Sequence, residues 1–252
     1  TPDEVVLQIN DLSGRLKPTS ASLALHRGEV LGIAGLVGAG RTEFLRAVFG
    51  LDPIRRGAIK LGAYVGPSSP ARSWAQGMGM VSEDRKYEGL ALSLSIADNL
   101  TLSRLRGFGP AGLVMPNRQH AAAANWIERL QIKCRSPRQT VASLSGGNQQ
   151  KVAIARLLQH DVDMLLLDEP TRGIDVGSKA EIYRLINELA LQRKAVLMVS
   201  SYLPELLGVC DRVAVMCRGQ LHPARRVEEI DEHQIMQAAT GYAITQQNSE
   251  KI

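Results

Sequence analysis

Four short apolar runs punctuate the chain: Val30 to Ala34, Met164 to Leu167, Ala195 to Val199 and Val213 to Cys217. A strand buried on both faces has no polar side to alternate with, so continuous runs of this length predict the strands of a covered parallel sheet. Between the second and third runs, Gly177 to Gln192 places Ile182, Leu185, Ile186 and Leu189 at i, i+3, i+4 and i+7, one face of a helix. Strand, helix and strand in that order make a βαβ unit and predict an α/β fold. The stretch from Val5 to Arg27 is patterned differently. Val5 to Ile9 and Ser22 to His26 alternate, with Ser13-Gly14 and Lys17-Pro18 between them as turns, which predicts an antiparallel β portion. From Ser95 to His160 the pattern turns helical. Asn117 is the expected N-cap of an Ala-rich helix carrying Ala123, Trp126, Ile127 and Leu130 at helical spacing, with Trp126 a core residue. Gly107 to Pro116 reads as a loop. The expected organisation is one domain: a core from 1–94 and 161–245, a helical subdomain inserted at 95–160, and a frayed polar tail at 246–252.

Composition narrows the class without naming a function. The 252 residues are 44% hydrophobic and 22% charged, ordinary for a globular protein able to bury its own core. No apolar run approaches the ~18 residues of a membrane helix, and no signal peptide is recognisable. The three cysteines, Cys134, Cys210 and Cys217, lack metal-site spacing and are odd in number, so a disulfide framework is not expected and a reduced, cytoplasmic compartment is. The five histidines show no ligand spacing. Membrane-spanning, collagenous, disordered and disulfide-rich classes fall away. The formal charge of +5 suits an anionic ligand and equally an ordinary solvated surface.

The chemistry gathers at the ends of the apolar runs. After Val30 to Ala34 comes Gly35-Leu36-Val37-Gly38-Ala39-Gly40-Arg41-Thr42, the G-x-x-x-x-G-K-[ST] phosphate loop with arginine in the lysine position. Glycines let the backbone wrap a phosphate, and the following helix offers its positive end. The expected contacts are Gly35, Gly38, Ala39, Gly40, Arg41, Thr42 and Glu43, with the Thr42 hydroxyl on Mg2+. The alternative is a Gly-rich strand–helix turn with no ligand. A dinucleotide-type loop fits less well, because no third glycine follows at the required spacing. Met164 to Leu167 ends in Asp168 and Glu169, at the strand end where α/β sheets hold ligands. Asp168 would complete the Mg2+ shell, and Glu169 would polarise an attacking water as general base.

Leu144-Ser145-Gly146-Gly147-Asn148-Gln149-Gln150 is a further Gly-rich helix start; its plainer reading is a serine N-cap with two flexible glycines. The string resembles the signature motif of ATP-binding cassette (ABC) ATPases. Together with LDEPTRGIDVG and VSEDRK, the stretch LSGGNQQKVAIAR is similar to the second, C-terminal nucleotide-binding domain of tandem ATPases in bacterial monosaccharide importers of the ribose/galactose/xylose type. The resemblance covers nearly the whole chain. It implies a P-loop NTPase fold with an ABC-type core, an antiparallel β subdomain and a helical signature subdomain. It also implies ATP and Mg2+ as ligands, and a peripheral place on the cytoplasmic face of the bacterial inner membrane. The implied partners are a first nucleotide-binding domain in the same polypeptide, transmembrane permease subunits and, indirectly, a periplasmic sugar-binding protein. Thr1 in place of an initiator Met fits a second half of such a polypeptide.

In this family each nucleotide is shared between two domains, and this chain departs from the pattern on one side only. Arg41 replaces lysine, no Phe, Tyr or Trp precedes Phe44 to stack on adenine, Glu83 occupies the Q-loop position, where its carboxylate is still expected to touch Mg2+ or a water, and Ser201 the switch-histidine position. On the donating side Ser145, Gly146 and Gly147 are complete, with Asp175 the D-loop acid or a helix cap. The expectation is a transport ATPase domain coupling ATP to carbohydrate uptake. Its own pocket would be degenerate, with weak hydrolysis by the isolated domain, and it would lend its signature to a partner. The alternatives are a non-catalytic partner domain, or a soluble ABC-type ATPase acting on nucleic acid or the ribosome. No basic stripe with interleaved aromatics supports the last, and no nucleic-acid partner is expected.

Overall fold

The computed structural model describes residues 4–66, 69–110 and 113–241; the expected polar tail lies outside them. Alternation near the N-terminus produces β1 (Val5–Gly14) and β2 (Ala21–His26), which with β4 (Ile54–Leu61) and β5 (Tyr64–Val65) form an antiparallel sheet in the order β2-β1-β4-β5. Ser13-Gly14 is not a turn but the end of β1. Register shifts between Asn10 and Gly14, with Asp11 at φ 46°, bulge the strand there. A Cβ on Gly14 would stand 2.3 Å from the Lys17 carbonyl, so the close approach demands glycine.

The four apolar runs become β3 (Val30–Gly35), β7 (Met164–Asp168), β8 (Ala195–Val199) and β9 (Arg212–Cys217). With β6 (Met78–Val81) they run parallel in the order β9-β3-β8-β7-β6, and β10 (Gln220–Leu221) and β11 (Arg225–Arg226) pair antiparallel with β9. Successive side chains point to opposite faces. Val30, Leu165, Leu167, Val196, Met198, Val213 and Val215 enter one apolar core. Leu31, Ile33, Leu166, Leu197, Ala214 and Met216 enter the other. The second core is shared with the antiparallel sheet and with α1 (Arg41–Phe49), whose Phe44, Leu45 and Val48 are fully buried.

The first core is covered by helices, among them α5 (Gly146–His160) and α6 (Val176–Leu191). Between β6 and β7 also lie α3 (Ile96–Thr101) and α4 (Pro116–Arg129), while α2 (Pro70–Ala75) precedes β6. After β8 come α7 (Leu203–Val209) and α8 (Glu232–Thr240). α4 starts at Pro116, not after Asn117, because proline's fixed φ and missing N–H suit the first helical position. α5 starts at Gly146, since Ser145 Oγ accepts from the Asn148 amide and caps it there. Trp126 is half-buried and packs against the first core; its Nε1 donates to Gln159 Oε1 at 2.7 Å and the Arg129 guanidinium lies 4.3 Å above its ring.

Candidate functional site

The chain passes from β3 into α1 through a loop whose tip is bare, with Val37 91% exposed. Gly38 (φ 76°) and Gly40 (φ 112°) sit in the left-handed region, where a side chain would be strained. No side chain caps α1, so the amides of its first turn, beginning with Arg41, Thr42 and Glu43, are left for a ligand or water. Together these features make a concave start to a nine-residue helix, suited to an anion.

The strand-end acids lie beside it. Thr42 Oγ1 donates to Asp168 Oδ1 at 3.2 Å, while Asp168 Oδ2 is buried with no hydrogen-bond partner. Burial pushes the Asp168 carboxyl up to about 6; the Glu169 charge adds to the shift, and the Thr42 hydrogen bond and Arg41 charge oppose it. Glu169 adopts φ 46° and its amide donates to the Val199 carbonyl, which ties it to β8. Both its oxygens are taken. Arg41 Nη2 donates to Oε1 at 3.0 Å in a buried ion pair, and Ser201 Oγ donates to Oε2 at 3.2 Å. Arg41 Nη1 is buried without a partner. Beneath them Glu205 accepts from Thr171 Oγ1 at 2.9 Å and Ser200 Oγ at 2.7 Å, and burial raises its carboxyl. This buried acid links the segments that follow β7 and β8. Its only trace in the sequence is an acid among the leucines of α7, which the motif reading passed over.

Glu83 follows β6 and pairs with Arg172 instead of joining Thr42 and Asp168. Among the described residues no three His, Cys, Asp or Glu side chains converge on a metal position; of the expected Mg2+ ligands, Thr42 and Asp168 are joined and Glu83 stands apart on Arg172. Arg85, in the segment after β6, reaches inward. Its Nη1 donates to the Gly146 carbonyl at 3.0 Å and to Gln150 Oε1 at 3.4 Å, and its Nη2 to the Arg172 carbonyl at 3.2 Å. Ser145 is exposed at the start of α5. A Cβ on Gly147 would meet Ser178 Oγ at 2.1 Å, and one on Gly146 the Gly173 carbonyl at 3.2 Å, so both glycines let α5 close on the start of α6. There Asp175 is the N-cap, accepting from the Ser178 amide at 2.9 Å and hydroxyl at 2.7 Å. Among the described residues no hydrogen bond or ion pair joins Ser145, Gly146 or Gly147 to the loop at 35–42.

One residue that sequence reasoning missed also lies on the loop. Lys17 Nζ donates to the Gly38 carbonyl, and its stem crosses Gly40, where a Cβ would come within 3.1 Å of it.

The donor set fits a small hard cation held with a phosphate chain. A hydroxyl and a carboxylate with an orphaned buried oxygen are ligands that Mg2+ accepts, with phosphate oxygens and water making up its shell. Such an ion would neutralise phosphate charge; Thr42 and Asp168 are the residues that would hold it.

The sequence profile of the ABC transporter family matches residues 19–172. A putative ribose/galactose/methyl galactoside import ATP-binding protein of Burkholderia ambifaria is 45% identical over 240 residues, covering 94% of this chain and 47% of the relative. A ribose import ATP-binding protein of Lactococcus lactis subsp. lactis is 44% identical over 239 residues, covering 94% of this chain and 48% of the relative. The chain therefore spans about half the length of the curated relatives it matches. Among solved structures, a nucleotide-free ATP-binding cassette from an ABC transporter superposes with a TM-score of 0.75 at 19% identity, over 92% of this chain and 97% of that one. A dimeric post-hydrolysis cassette bound to ADP and phosphate gives a TM-score of 0.75 at 20% identity, over 88% and 98%. These structural likenesses carry the fold.

Proposed function

The chain belongs to the ABC transporter family, and from that premise we propose that it is the ATP-binding domain of a sugar importer whose own pocket is degenerate and whose main work is to lend its signature to a partner. ATP with Mg2+ is the ligand, and ribose- or galactose-type carbohydrate the cargo, in line with the names of its relatives. The chain acts as the second nucleotide-binding domain of a tandem polypeptide, the first supplying the other pocket. Relatives about twice as long leave room for that domain. The core at 1–94 and 161–245 holds the phosphate loop, and the helical part at 95–160 presents the signature.

The observation that carries the reading is the buried pair between Arg41 Nη2 and Glu169 Oε1 at 3.0 Å. A general base must accept a proton from water, yet both Glu169 oxygens already accept hydrogen bonds, one from Arg41 and one from Ser201. The guanidinium is held on the base through Nη2, so its charge is answered by a carboxylate before any phosphate arrives. Ser201 is too short to bring an imidazole's contact to a terminal phosphate. Each lost transition-state contact costs about 10²–10³ in rate, and two together silence a site. Ser145, by contrast, stands exposed on the capped start of α5, free to face a nucleotide held by another domain.

Permease subunits dock at the cytoplasmic face of the inner membrane and relay the sugar-binding protein's state. A cleft of about 410 Å³ beside the segment after β6, lined by Phe49, Leu51, Trp74, Met80, Leu102 and Arg156, is a candidate place for such a contact.

Turnover in the assembled transporter tests the reading. Glu169→Gln should leave most ATP hydrolysis intact, whereas Ser145→Arg should abolish it. Hydrolysis that survives Ser145→Arg and vanishes with Glu169→Gln would overturn the assignment.

A further inference from the structure

We propose that Lys17 is a phosphate-binding residue of the nucleotide site, supplying from outside the loop the mobile ammonium that position 41 does not. This rests on the reading of residues 35–42 as a nucleotide site.

The need for such a group follows from charge. Arg41 is spent on Glu169, so the guanidinium and that carboxylate cancel. Asp168 and Glu43 remain beside the loop. A polyphosphate approaching α1 meets the helix's partial positive charge but no free cation from position 41.

Lys17 meets the need in three ways. Its Nζ rests on the carbonyl of Gly38, a neutral acceptor within the loop itself. Among the described residues no carboxylate pairs with it, so its full charge stands at the loop. Its place is fixed by the fold: the Thr19 amide donates to the Gly219 carbonyl at 2.7 Å, and the Gly219 amide donates to the Ala39 carbonyl at 2.8 Å. The segment that carries Lys17 is thus tied through Gly219 to the phosphate loop. The stem crosses the start of α1 only because Gly40 has no side chain; a Cβ there would meet Lys17 Cβ at 3.1 Å and Cδ at 3.2 Å.

An ammonium on a slim stem exchanges one acceptor for another readily, and a phosphate oxygen is a far stronger acceptor than a carbonyl. On binding, Nζ leaves Gly38 and pairs with the phosphate chain. Position 17 takes over by tertiary placement what a P-loop lysine does by sequence. Gly40 then has two duties, the left-handed entry to α1 and the passage of the Lys17 stem.

Calorimetry with Mg-ATP, Mg-ADP and adenosine, on the chain and on Lys17→Met and Lys17→Arg, tests this. Lys17→Met keeps a stem over Gly40 and removes the charge. It should weaken Mg-ATP and Mg-ADP about tenfold to a hundredfold, the loss of a charge-assisted hydrogen bond, and leave adenosine unchanged. Lys17→Arg should recover part of the loss. Equal or tighter Mg-ATP binding by Lys17→Met overturns the proposal; tighter binding would make Lys17 a plug. Equal losses for adenosine and ATP overturn it as well, since the contact would then be to the base. If the unaltered chain binds no Mg-ATP, the nucleotide reading itself falls and this one with it. A measurement without any variant runs beside these: Mg-ATP, and not adenosine, should protect Lys17 from an amine-acylating reagent read by peptide mass spectrometry. Lack of protection counts against the proposal even where Lys17→Met fails to fold.

Discussion

A lysine at position 41 would carry its charge as a single point on a slim stem, whereas a guanidinium presents a planar fork that matches a carboxylate. That shape explains why Arg41 settles on Glu169 at 3.0 Å with both side chains buried. The neighbouring Asp168 has the opposite problem, a buried oxygen with nothing to accept from. Its carboxyl is raised by burial from 3.8 to about 6, so the folded state holds the proton more tightly than the unfolded chain does. The sign follows directly. The contribution to stability is fully present below the unfolded value and is lost as pH rises through the folded one. In the metal-free protein, stability should therefore fall on the order of 3 kcal/mol between about pH 4 and pH 6 from this group alone. Asp168→Asn should flatten that slope in urea denaturation followed against pH, while an unchanged slope would place the shift elsewhere.

At the next scale, α5 shows how an element start serves two purposes. Ser145 caps the helix, and Gly146 and Gly147 let its first turn lie against the loop and cap of α6. The glycines are thus required by packing within this chain, quite apart from any phosphate held by a partner. Gly147→Ala would drive a Cβ to 2.1 Å from Ser178 Oγ and 2.5 Å from Ser178 Cβ. Overpacking of this kind costs about 1–3 kcal/mol. Thermal unfolding should show the loss, and Ser178→Gly in the same chain should restore most of it. A Gly147→Ala variant as stable as the parent would mean that α5 has room to move away. β1 teaches the same lesson about local signals. Ser13-Gly14 has turn composition, yet the glycine serves a bulge pressed against the Lys17 carbonyl. Nothing within a few residues distinguishes the two.

Across the whole molecule, Arg85 joins three parts that are far apart in sequence: the segment after β6, the start of α5 through the Gly146 carbonyl, and the segment after β7 through the Arg172 carbonyl. Desolvation lowers its pKa, and its partners are neutral carbonyls and an amide oxygen. Hydrogen bonds from a charged donor are worth about 1.5–3 kcal/mol each. Arg85→Ala should speed amide exchange in the first turn of α5 and around Arg172 together, read by hydrogen exchange with mass spectrometry; loosening at only one of them would disprove the shared tether. The four apolar strands, the β1 and β2 portion, the βαβ order, the helix α6 and the glycine loop at 35–42 were legible in the chain itself, while β4, β5 and β6 were not. Their signals are local: period two or 3.6 in the apolar positions, glycines at a strand end, acids after a run of leucines. The pairing of Arg41 with Glu169, of Glu83 with Arg172 and of Lys17 with Gly38 was not. Each joins residues that only the packing of the two sheets and α1 brings together, and a long cationic side chain has several acids and carbonyls within reach of its stem. Which acceptor it takes depends on burial and on the neighbours already engaged, and those exist only once the chain has folded.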